Sequence, residues 1–93
     1  MRATVNGTVI AESDATVIVE GNHYFPPDSI NRAVLSPSAH ATVCPWKGTA
    51  AYFDITVDGE TLANVAWTYP EPKPDAESIR DHVAFYPQVT VEP

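Results

Sequence analysis

This 93-residue chain has one cysteine, one methionine, four glycines and only five basic side chains. Each scarcity removes a class of explanation. The single cysteine, Cys44, can form neither an intramolecular disulfide nor a cysteine-only zinc site, and it agrees with a reducing compartment. Five Lys and Arg against twelve Asp and Glu leave a net charge of −7. Nucleic-acid backbones are held by basic side chains that displace counterions, so this balance argues against a nucleic-acid partner and equally against anionic membranes. No apolar run approaches the ~20 residues of a membrane span, and none follows a basic start as in a signal peptide. The expectation is a cytoplasmic protein with no nucleic-acid and no membrane partner.

Prolines are plentiful, at nine, and 44% of residues are apolar. This length suits one compact domain, residues 1–93, with one modest core. Turn signals are closely spaced between β-branched runs. Asn6-Gly7 and Asp58-Gly59 have the composition of type I′ hairpin turns. "ATVIVEG" (15–21) is a further β-rich run stopped at Gly21-Asn22, and "VAFY" and "VTVE" read as closing strands. A short helix is expected after Pro26-Pro27, capped by Asp28 or Ser29, and a second helical turn or two after Asp75. Residues 36–39 read as loop, and "PEPKP" as extended polyproline-like chain.

A two-residue turn at Asp58-Gly59 sets a register by subtraction. Ile55 then faces Leu62, Tyr52 faces Val65 and Ala50 faces Trp67. Residues opposite one another share a face, so Ala50, Tyr52, Val65, Trp67 and Tyr69 form an aromatic face, with Phe53, Ile55, Leu62 and Ala66 on an aliphatic one. A bulge near Asn64 would shift this pairing. Large rings beside a small alanine suit either a second core or the wall of a pocket.

Other chemistry finds less support. His23, His40, Cys44 and His82 match no compact zinc spacing, so no metal and no cofactor are expected. Cys44 with Lys47 or a histidine is a conceivable nucleophile, but Pro45 lacks the N–H that an oxyanion hole would need there. Neither a Gly-x-Ser-x-Gly elbow nor a phosphate loop is present.

Four stretches, "NHYFPP", "CPWKGTAAY", "AWTYPEPKP" and "DHVAFY", together resemble the signature of a bacterial and fungal family called domain of unknown function 427, over nearly the whole chain. The resemblance implies a mainly β fold similar to the Mss4-like β-tent: two antiparallel sheets packed at an angle, with one or two short helices. Many β-tent relatives hold zinc with two Cys-x-x-Cys knuckles, which one cysteine cannot reproduce. Some family members carry a nucleotidyltransferase label, but this chain shows no Gly-Ser with spaced carboxylates for two metal ions.

The leading expectation is a domain binding a small planar or cationic ligand, or a short peptide, in an aromatic-lined cleft. Trp46, Trp67, Tyr69, Tyr24 and Phe25 would be walls, and Asn22, Lys47 and His82 polar anchors. Lys47 is read as an exposed turn residue that pairs with a ligand anion or with Glu71. The alternatives are a small enzyme using Cys44 or His82, and a structural module, monomeric or weakly homodimeric through a strand edge.

Overall fold

Three dipeptides hold both residues at positive φ: Asn6-Gly7 (50° and 77°), Glu20-Gly21 (53° and 79°) and Asp58-Gly59 (53° and 79°). This is the type I′ geometry whose twist matches that of paired strands. In the computed structural model, which describes residues 1–93, these turns close three hairpins: β1 (Arg2–Val5) with β2 (Thr8–Glu12), β3 (Val17–Val19) with β4 (Asn22–Tyr24), and β6 (Gly48–Val57) with β7 (Glu60–Thr68). The middle turn lies one residue earlier than the sequence suggests, because Asn22 opens β4 and pairs with Val19. The remaining strands are β5 (Leu35–Cys44), β8 (Val83–Phe85) and β9 (Thr90–Glu92).

The fold is mainly β and antiparallel, but it has three sheets where two were expected: β2-β1-β9, β3-β4 and β5-β6-β7-β8. The expected helices are short 3-10 turns at Pro27–Ser29, Arg32–Val34 and Pro74–Ile79. Asn31 explains the first pair. Its side chain accepts from the Ala33 N–H at 3.1 Å and its own backbone is extended, so one turn ends and another starts before a helix can nucleate. Residues 36–39, read as loop, lie within β5. This is an edge strand, where Pro37 is tolerated despite its missing N–H. No helix is long and apolar enough to cross a membrane.

The register departs from simple subtraction at one place. Val57 pairs with Glu60 and Ile55 with Leu62, but Phe53 then pairs with Ala66, Tyr52 with Trp67 and Ala51 with Thr68. Asn64 sits in the intervening bulge at φ 56°, and its N–H donates to Asp54 Oδ1 at 2.8 Å. The opposite neighbour of β6 bulges too: Pro37 pairs with Phe53 and Ala41 with Ala51. Ser38 Oγ, from that second bulge, donates to Asn64 Oδ1 and links the two.

Alternation along β6 and β7 supplies two cores. One gathers Ile55, Val57, Ala66, Phe25, Val83 and Phe85 with Ala3, Val5, Ile10 and Ala11 of the three-stranded sheet. The other gathers Ala50, Tyr52, Trp67 and Tyr69 with Tyr24 of β4 and Ala76 and Ile79 of the last 3-10 turn. Val65, expected on the aromatic face, joins the first core because the bulge turns it over. Each large side chain fully buried in this way contributes about 1.5–3 kcal/mol.

Candidate functional site

The second core is a connected bank of rings. Trp67 and Tyr52 are cross-strand partners, so both point to one face. Tyr24 arrives edge-on to Trp67 at 6.2 Å between centroids, and the indole N–H donates to Tyr24 Oη at 3.1 Å. Tyr86 follows β8 and is held there by its N–H on the Val65 carbonyl at 2.8 Å. Its ring lies 4.7 Å from Trp67 and 6.4 Å from Tyr52. His40 closes the series, 4.5 Å from Tyr52.

Three hydroxyls run along the outer side of this bank. Tyr52 Oη is 3.0 Å from Thr42 Oγ1 and 3.4 Å from Tyr86 Oη. The bond with Tyr52, reinforced by burial, pushes the Tyr86 phenol up to about 12. Burial also raises the phenols of Tyr24 and Tyr69. All three are therefore neutral hydrogen-bonding groups at physiological pH.

The bank is mostly sealed. Tyr24 is fully buried, and Tyr69, Tyr52 and Trp67 nearly so. Tyr86, at 40% exposed, and His40 are the rings of the bank that meet solvent. Beside Tyr86 lies a cavity of about 500 Å³ whose walls include Trp67, Tyr86, Phe85, Pro87, Asn22 and Thr90. Two other concavities are present: about 420 Å³ between His40 and Glu71, and about 360 Å³ against Trp46 and Pro74.

The eight residues singled out in the sequence therefore divide. Trp67 and Asn22 border the 500 Å³ cavity. Tyr24 and Tyr69 stand behind the wall, in the core. Phe25 belongs to the other core, edge-on to Phe85 at 5.6 Å, because strand alternation sends it away from Tyr24. Trp46 is 40% exposed and borders the separate 360 Å³ concavity. His82 lines none of the three cavities; its Nδ1 donates to the Arg80 carbonyl at 2.9 Å.

Lys47 corrects its reading as an exposed turn residue. It is 7% exposed, and its ammonium donates to Glu20 at the tip of the β3-β4 hairpin, not to Glu71. It lies 5.5 Å from the Trp46 ring and 5.6 Å from that of Tyr69, within cation–π range. Burial by itself pulls the ammonium's pKa down, but the Glu20 bond and the neighbouring Tyr24 and Tyr69 outweigh it, and the net shift is upward. Glu20 is held below the usual carboxylate range, first by that hydrogen bond.

The adjacent backbone keeps this turn in place. The Lys73 N–H donates to the Lys47 carbonyl at 2.9 Å, and Lys73 Nζ to the Pro45 carbonyl at 2.6 Å. Gly48 adopts φ 117°, and a Cβ there would meet the Glu71 carbonyl at 3.3 Å, so the "PEPKP" segment crosses closely over a glycine.

The groups with metal or nucleophile potential are dispersed. His23 Nδ1 meets Thr16 Oγ1 at 2.9 Å, His40 lies on Tyr52, and Cys44 is half-buried against the aromatic core. No three His, Cys, Asp or Glu side chains are placed together to hold a metal ion. Two residues that matter here, Tyr86 and Glu20, are not among those eight. Tyr86 is one tyrosine among four. Glu20 read only as part of the β-rich run that ends at Gly21-Asn22.

The comparisons with known proteins give one family. Its profile, described as "Domain of unknown function (DUF427)", matches residues 1–92. Comparison with curated proteins gives no match.

Proposed function

For this chain, which belongs to the domain of unknown function 427 family, we propose that the function is to bind a small planar or cationic ligand in the groove beside Trp67 and Tyr86. One observation carries the reading. Tyr86 is an exposed ring packed on the buried Trp67 and Tyr52, and it forms with Trp67 and Asn22 the wall of a cavity of about 500 Å³. That volume is within the ~300–1,000 Å³ usual for small-molecule sites.

The chemistry of the wall favours flat or positively charged ligands. Ring faces attract cations and stack on planar groups, and the wall carries no Lys or Arg. The Asn22 side chain and the Thr90 hydroxyl offer donors and acceptors for orientation. The buried rings behind them supply rigidity, since the Tyr24–Trp67 hydrogen bond holds the indole in one orientation. The single cysteine suits a reducing, cytoplasmic setting.

The test is a thermal-shift screen against metabolites and nucleotides, followed by tryptophan fluorescence on the hits. In a Trp46→Phe background Trp67 is the only indole, so a ligand in the groove changes its emission. Tyr86→Ala and Asn22→Ala each weaken that response at least about tenfold. Hits that bind both variants as tightly as the parent would place the ligand elsewhere and overturn the reading.

A further inference from the structure

β5 forms one edge of the four-stranded sheet, and its outward backbone groups have no backbone partner. Such an edge is a template for another strand, and proteins usually blunt it with prolines, bulges or charges. The first half of β5 is blunted in this way. Pro37 lacks an N–H, and Ser38–His40 bulge away from regular pairing. Pro45 ends the strand at the other side. The four residues between, Ala41–Cys44, pair regularly with Ala51, Ala50, Thr49 and Gly48 and carry none of these devices.

Charge singles out this edge. From Leu35 to Trp46 there is no Asp, Glu, Lys or Arg, in a chain whose net charge is −7. The competing edge, β3, exposes Ile18 at 63% but is only three residues long and is flanked by Asp14 and by Glu20, whose carboxylate is taken by Lys47. The outer edges of β2 and β9 carry Glu12, which pairs with Arg2, and Glu92. β5 instead presents Val43, the most exposed large apolar side chain in the protein at 77%.

We infer that Ala41–Cys44 is a self-association edge, on which a second copy of the chain adds its own β5 in antiparallel register. Opposed residues in such a pair share a face, so the two-fold axis passes through Thr42 or Val43. The pairing satisfies open backbone groups on both copies and covers Val43. Four residues a side bury less than the ~1,200–2,000 Å² of a standard stable interface, so the dimer is weak and concentration-dependent.

The test is sedimentation velocity on the full chain from about 10 μM to about 1 mM. The expected result is a rise from monomer to dimer mass across that range. Val43→Lys weakens association at least about tenfold, whereas Ile18→Lys leaves it unchanged. Hydrogen exchange on the unmodified protein gives a readout independent of any variant: amides of residues 41–44 gain protection as concentration rises. A monomer mass throughout, undiminished association of folded Val43→Lys, or loss of association in Ile18→Lys would each overturn the inference.

Discussion

Lys47 is buried with its ammonium on the carboxylate of Glu20, 27 residues away at the tip of another hairpin. The two-stranded β3-β4 sheet is thereby fastened to the turn that begins β6. A buried lysine is tolerated only when paired, so the pair is a structural requirement of this fold.

Glu20→Gln is expected to lower Tm by several degrees, because it leaves the ammonium buried without its counter-charge. Glu12→Gln, which removes an exposed pair with Arg2, changes Tm far less. The pH dependence has a definite sign. Glu20 has a lowered pKa in the folded protein, so its contribution is complete above the unfolded value and disappears as pH falls through the folded one. Lys47 has a raised pKa, so its contribution is lost only as pH rises beyond the ordinary lysine range. Melting curves from acid to neutral pH should therefore show wild type and Glu20→Gln converging in acid and separating toward neutrality.

Tyr86 provides an alkaline counterpart. Its phenol is raised from 10.0 to about 12 by Tyr52 and by burial. A raised folded pKa means that stability is present below the unfolded value and lost as pH climbs from 10.0 toward about 12. Ultraviolet titration should show late-ionising tyrosines, and Tyr86→Phe reduces their number by one. Tyr52→Phe brings the Tyr86 transition down toward the ordinary value. An unchanged transition in Tyr52→Phe would refute the hydroxyl contact.

Asn64 tests the bulge. At φ 56° it occupies the left-handed region, which Asn adopts readily and β-branched residues do not. Asn64→Val is expected to cost about 1–3 kcal/mol in urea unfolding. Asn64→Gly keeps the backbone geometry, loses the Ser38 contact and costs less. Equal stability of the two variants would contradict the assigned register.

The hairpins were legible because a type I′ turn is a local matter: Asn6-Gly7 and Asp58-Gly59 sit at positive φ for reasons contained in two residues. The aromatic face was legible too, since period-two alternation sends Trp67 and Tyr69 the same way whatever the partner strand does. The register beyond Leu62 was not, because the bulge depends on Asp54 capturing the Asn64 N–H and on Ser38 reaching across from β5. Nor was which core each of Tyr24 and Phe25 joins, which needed β4 to dock against β8 through the paired Phe25 and Val83 backbones.

The sequence by itself therefore determined a mainly β chain, its turns and which side chains alternate together, since φ preferences and the two-residue period act between neighbours. Only the tertiary structure decided which rings are sealed and which meet solvent, and that Lys47 lies buried against Glu20. Burial and ion pairing depend on segments brought together from far apart in the chain, and no local preference encodes that meeting.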